Sequence, residues 1–133
     1  MKKVEEEFFI GQMAVINREF TLDFVEQSLH VISNYNQIFE KALRMKDGLP
    51  IVPWFLAEGL VIELLYEEFS GYQLLMMQKE LLYLELVYIG DTITAEIEVI
   101  DINEKRKWLT AKVLCRNERE NVVIKGQIVL QIQ

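Results

Sequence analysis

Pro53-Trp54-Phe55-Leu56-Ala57-Glu58-Gly59-Leu60-Val61-Ile62-Glu63-Leu64-Leu65 decides the architecture. Pro53 suits a place at or just before a first helical turn, where the N–H it lacks would have no partner. From Trp54 to about residue 69 the apolar side chains fall on nearly every side of a helix, not along one stripe. A helix of that kind is surrounded by other elements, not docked on one face. Ser70-Gly71 ends it, because glycine takes the left-handed conformation that closes a helix.

After this helix the chain reads as strands. Residues 74–77 and 81–88 are one or two apolar runs, and Gly90-Asp91 is a turn. Residues 92–99 alternate, with the odd positions apolar, as a strand with one buried face does. Residues 103–107 form a charged hairpin tip, Trp108–Arg116 is the return strand, 117–121 is a second turn, and Val122–Ile132 is the last strand.

Upstream, residues 13–20 are strand-like. Thr21 is placed to cap a helix, with Asp23 in its first turn complementing the helix dipole. Leu22, Val25, Leu29 and Ile32 recur at helical spacing, while Asp23, Glu26, Gln27 and His30 fall on the other side. This predicts a surface helix ending near residues 33–36. Residues 34–53 are less regular, punctuated by Gly48, Pro50 and Pro53, with one short helical turn supported by Ile38, Phe39, Ala42 and Leu43. The order predicts an α+β fold, a curved antiparallel sheet wrapped around a long central helix. The rest of the helix's cover then comes from the first helix or from a second subunit.

Composition narrows the function classes. The 133 residues are 51% hydrophobic and 26% charged, the balance of a globular protein of one domain. Fourteen Lys+Arg against 21 Asp+Glu leave a net charge of −7, which argues against nucleic acid or an anionic membrane as the partner. One cysteine, Cys115, cannot form an internal disulfide, and with a single histidine it offers no metal site. Residues 1–12 carry two lysines but lack the apolar run of a signal peptide. No stretch of about 18 apolar residues is present to span a membrane. A cytoplasmic location is expected.

Three short motifs, Phe9-Ile10-Gly11-Gln12, Arg18-Glu19-Phe20-Thr21 and Tyr88-Ile89-Gly90-Asp91-Thr92-Ile93, stand in the order found in a known family. The chain resembles the MaoC-like hydratase/dehydratases, the (R)-specific enoyl-CoA hydratases, which have the hot-dog fold. That resemblance implies one hot-dog domain over residues 1–133. It also places the family's catalytic Asp on Asn34, its catalytic His on Phe39, and a second His-Gly pair on Pro53-Trp54. In the family the Asp/His pair activates water for addition to a C=C bond. An amide nitrogen is not basic and a phenyl ring carries no proton to transfer, so the pair is absent here. Trp54 replaces a glycine that lets a thioester carbonyl approach the helix N-terminus. Bulk at that position predicts weak or no acyl-CoA binding, and a Trp54→Gly change is expected to open the site.

Leu49-Pro50-Ile51-Val52-Pro53 also resembles the loop before the central helix of beta-hydroxyacyl-ACP dehydratases. The positions that hold that family's His and Glu are Met45 and Gly59 here. Glu58 stands one residue early, about 100° around the helix.

These placements give the candidate residues. Glu58 is the candidate base or nucleophile, since hot-dog thioesterases place a carboxylate on this helix, and Asn34 is the second catalytic candidate. A ligand is expected to meet Asn34, Asn36, Phe39, Trp54, Phe55 and Leu56. Tyr35, Met45, Met76 and Met77 are further candidates for the pocket, and the cations 105–107 for CoA phosphates. Glu63 and Glu67 read as a solvated or interface stripe, and His30 as a surface residue. The expected protein binds an acyl thioester of CoA or of an acyl carrier, uses no other cofactor and no metal, and does not hydrate enoyl-CoA. It works as a homodimer or as the degenerate partner of a catalytic hot-dog subunit. The alternative is a thioesterase or dehydratase-like enzyme using Glu58 with Asn34 or Asn36, and a third reading is a structural dimer with a filled pocket.

Overall fold

In the computed structural model, which describes residues 4–32, 45–46 and 49–133, the long helix lies across one face of a five-stranded antiparallel sheet. The elements run α1 (Val4–Glu7), β1 (Met13–Glu19), α2 (Leu22–Ile32), β2 (Met45–Lys46), β3 (Leu49–Pro50), α3 (Trp54–Glu68), β4 (Leu74–Tyr83), β5 (Thr92–Asn103), β6 (Trp108–Arg116) and β7 (Val122–Ile132). The sheet order is β1-β5-β6-β7-β4, so β1 and β4 are its edges, and β2 and β3 pair separately.

Alternation builds the core. Ile93, Ala95, Ile97 and Val99 of β5, Leu109, Ala111, Val113 and Cys115 of β6, and Ile124 and Ile128 of β7 are buried beneath α3. The helix answers with Ala57, Leu60, Val61, Leu64 and Leu65. Each fully buried Leu or Val stabilises the fold by about 1.5–3 kcal/mol. Thr21 caps α2 as its sequence predicts: the Phe24 N–H donates to Thr21 Oγ1 at 3.1 Å. Val25 and Leu29 are buried on that helix, whereas Leu22 is about half exposed.

Helix α3 keeps one side open among the described residues, the side whose cover the sequence assigns to the first helix or to a second subunit. Gly59, Glu63, Tyr66 and Glu67 form an open stripe facing away from the sheet. The stripe is not simply solvated, because Glu63 takes a two-pronged ion pair from Arg18 of β1, at 2.5 and 3.0 Å. The apolar runs after α3, read as one or two, make one strand, and it ends at Tyr83, short of Tyr88. β4 carries a bulge between Met76 and Gln78, which displaces Met77 from the ladder and breaks the alternation. Beyond Tyr83 the chain leaves the sheet, and Tyr88 instead bridges to Ile51. The short α1 is an addition to the elements read from sequence. It brings Val4 and Phe8 into the core, where Phe8 packs edge-on to Phe69 and Tyr72.

Candidate functional site

The head of α3 is held from two directions. Val52 N–H donates to Val87 C=O at 2.7 Å, and Ile89 N–H to Pro50 C=O at 2.9 Å. These bonds clip the segment before the helix to the segment after β4. The Gly90-Asp91 turn then fastens both to β1, through Gly90 N–H to Phe20 C=O and Phe20 N–H to Asp91 C=O. Gly90 has φ +97°, which glycine adopts without steric cost. The Asp91 carboxylate accepts the Tyr88 N–H at 2.9 Å, and burial pushes its pKa up.

Pro53 is the N-cap of α3, and no side chain caps the helix there. The Leu56 N–H turns back to Pro53 C=O at 3.0 Å. The other N–H groups of the first helical turn have no intrahelical acceptor, so they face outward with the positive end of the helix dipole. Beside them lies a cavity of about 290 Å³, walled by Val52, Trp54, Phe55, Tyr83 and Leu86, with Ile124 beneath. Its lining is mostly apolar.

Trp54 stands at the rim of this cavity. Its ring packs edge-on against Phe55 and Tyr83, with centroids 5.5 and 6.0 Å away, and the residue is 62% exposed. The indole therefore forms part of the wall of this cavity. Leu56 turns towards the core and does not line the cavity. Met76 and Met77 are exposed on the edge strand and also lie outside it. Asn34, Asn36 and Phe39, with Tyr35, fall outside the described residues.

Glu58 is one turn into α3 and its side chain is 14% exposed. Two groups of β4 hold it: Lys79 Nζ at 2.8 Å, and the Tyr83 hydroxyl, which donates to Glu58 Oε1. Burial first, and then the hydrogen bond to Glu58, push the Tyr83 phenol pKa well above its usual value, so it stays protonated. A carboxylate with an ammonium on one oxygen and a phenol on the other is held in one orientation. The structure thus places Trp54 and Phe55 on the cavity wall and Glu58 outside its lining, linked to it through Tyr83, and it adds Lys79 and Tyr83, which sequence reasoning misses. The available signal is their spacing. Residues four apart on a strand share a face, and on the inner face of β4 Lys79 and Tyr83 flank Leu81.

Chains with this sheet order and helix placement are found among solved structures. An (R)-hydratase from A. caviae involved in PHA biosynthesis superposes with a TM-score of 0.80 at 22% identity, over 95% of this chain and 98% of that one. The chain has the hot-dog fold. A second likeness is the ChsH1-ChsH2 complex from Mycobacterium tuberculosis, with a TM-score of 0.70 and 19% identity over 93% of this chain and 98% of that one. A third is a variant of the fluoroacetyl-CoA-specific thioesterase, solved with fluoroacetate and CoA. It has a TM-score of 0.71 and 12% identity, over 95% of each chain. No protein-family profile matches the chain, and no curated protein matches its sequence. The resemblance carried by residues 18–21 and 88–93 therefore holds at the level of the fold. Among the described residues no cluster of His, Cys, Asp and Glu is placed to hold a metal ion, and no helix is long and apolar enough to cross a membrane.

Proposed function

We propose that the chain binds a short acyl thioester, carried on CoA or on an acyl-carrier protein, at the head of α3. It does so in the cytoplasm without the hydratase Asp/His pair, as a non-catalytic binding protein or as the degenerate partner subunit of a dehydratase. The observation that carries this reading is the apolar cavity of about 290 Å³ beside an uncapped helix N-terminus. Outward-facing N–H groups suit a thioester oxygen, and the apolar wall suits a short acyl chain. The assembly in this reading is a homodimer, or a heterodimer with a catalytic hot-dog subunit. Support comes from β4, an edge strand ten residues long that exposes Met76, Met77 and Leu82. Such an edge invites pairing with another chain.

Calorimetry with butyryl-CoA and crotonyl-CoA tests the binding, and a crotonyl-CoA hydration assay tests the missing pair. Binding with hydration slower than an active (R)-hydratase by at least about 10²-fold is expected, the share that one acid/base group contributes. Hydration at the rate of an active enzyme would overturn the reading, and so would the absence of binding.

A second reading is favoured by the Glu58–Lys79–Tyr83 cluster. Here the chain hydrolyses the thioester, with Glu58 as general base. Glu58 takes a proton from water, the hydroxide oxygen bonds to the thioester carbon, the C–S bond breaks, and the proton passes to the leaving thiolate. Asn34 is the other residue this reading assigns. Thiol release by the wild type, reduced about 10²–10⁴-fold in Glu58→Gln, is the result that selects it.

A further inference from the structure

Three aromatic rings line the cavity at the head of α3, and they come from two places in the chain. Trp54 and Phe55 are neighbours in the first turn of the helix, and Tyr83 ends β4. The Trp54 ring stands at 85° to Phe55 and 74° to Tyr83. These are edge-to-face arrangements, which the quadrupoles of aromatic rings favour. The cluster is unfinished. Trp54 is 62% exposed and Tyr83 43%, so much of each ring has no neighbour although both border an apolar hollow. The rest of the lining is largely aliphatic, with Val87 and Ile124 buried. Tyr83 is already fixed by its hydrogen bond to Glu58, and a wall held in place before the ligand arrives loses little side-chain entropy on binding.

We infer that the acyl group this cavity takes carries an aromatic ring, as in a benzoyl or phenylacetyl thioester. The inference rests on the thioester reading above and names the class of acyl group. Size permits it: an apolar cavity of about 150 Å³ holds one benzene, and this one, at about 290 Å³, has room for a phenyl ring and the thioester carbonyl. A straight aliphatic chain would fill the volume without any ring-to-ring contact, whereas a phenyl ring gains that contact beyond the area it buries. A cation is the other group that aromatic faces attract, but here it would meet the positive end of the α3 dipole. The nearby Glu58 carboxylate is already paired with Lys79 at 2.8 Å. Glu85, a carboxylate in the lining, is exposed to solvent, where its field is screened.

Calorimetry with three CoA thioesters tests the inference. Benzoyl-CoA and cyclohexanecarbonyl-CoA carry rings of similar size that differ in π character, and butyryl-CoA is the straight-chain reference. Benzoyl-CoA is expected to bind about 3- to 10-fold more tightly than cyclohexanecarbonyl-CoA, the range that an aromatic pair adds beyond its area. In Trp54→Leu that preference should fall below about twofold. Thermal unfolding followed by circular dichroism checks that the variant is folded. Equal affinity of the wild type for the two ring thioesters overturns the inference, and if butyryl-CoA still binds, the thioester reading stands. No binding of any of the three overturns both. A preference that survives in Trp54→Leu overturns the inference. So does a loss in that variant that is equal for all three thioesters, which would place the indole on the shared CoA moiety. Tighter binding of 4-(trimethylammonio)butyryl-CoA than of benzoyl-CoA overturns it as well, in favour of a cationic acyl group.

Discussion

The Tyr83 hydroxyl donates its hydrogen bond to the Glu58 carboxylate across the gap between the edge strand and the head of the central helix. The bond joins positions 25 residues apart, and it has a consequence at high pH. The folded phenol titrates above its usual value of 10.0, so the folded state holds this proton more tightly than the unfolded chain does. Stability from this group is complete below pH 10 and is lost as the pH rises through the folded pKa. Tyr83→Phe should flatten the alkaline decline in the unfolding midpoint. A phenolate absorbance titration should show one tyrosine fewer ionising late.

Trp54 is a wall of the cavity, so shortening it should weaken binding and not improve it. Trp54→Ala is expected to lower butyryl-CoA affinity several-fold, consistent with about 1 kcal/mol of lost apolar contact at a half-exposed site. Calorimetry on both proteins reads this directly. A gain in affinity would show that the indole closes the site after all.

Arg18 and Glu63 tie β1 to the open side of α3. The hydrogen bond from Arg18 is the main cause that holds the Glu63 carboxyl below its usual pKa of 4.5. Its stabilising contribution is therefore present above pH 4.5 and fades as the pH falls through the folded value. Both side chains are partly exposed, at 29% and 45%, which limits the pair to about 0.5–1 kcal/mol. Glu63→Gln should lower stability by that amount at pH 7 in low salt. The difference should shrink in high salt and vanish in acid, as measured by urea unfolding.

Gly126 lies hard against the backbone of β4. A Cβ there would lie 1.9 Å from the Glu80 carbonyl oxygen and 2.9 Å from Leu81 Cα, both backbone atoms. Gly126→Ala must push the edge strand aside, at a cost of about 2–4 kcal/mol. Denaturant unfolding measures the loss, and amide exchange should show it concentrated in β4.

Legibility in the sequence tracks the range of the interactions concerned. Both ends of β6 and β7 are read correctly because alternation and turn residues are local signals. The Thr21 cap is local too. β4 reads as one or two runs because the bulge at Met77 breaks the period and its exposed flank imposes no alternation. The four-residue α1 is too short for periodicity to register. At the site, Glu58 stands out as a lone carboxylate near the start of an apolar helix. Lys79 and Tyr83 do not, because their meeting with Glu58 depends on β4 joining β7 at the sheet edge, which no local spacing encodes. The position of Trp54 at the rim likewise involves Tyr83, a ring from a strand distant in sequence.

Helix α3 runs through the Ser70-Gly71 turn straight into β4, so Glu58, Lys79 and Tyr83 all lie on one continuous stretch of chain. Within the sheet only β7 holds that stretch's strand in place. An edge strand opens at lower free energy than the strands beside it. Peeling β4 from β7 carries Lys79 and Tyr83 away from Glu58 and removes one wall of the cavity, while β1, β5, β6 and β7 stay paired. The site can therefore be dismantled without the fold being lost. A ligand that fills the cavity must raise the free energy of fraying by the same amount that fraying lowers its affinity. Occupancy of the pocket and closure of the sheet edge become a single thermodynamic variable.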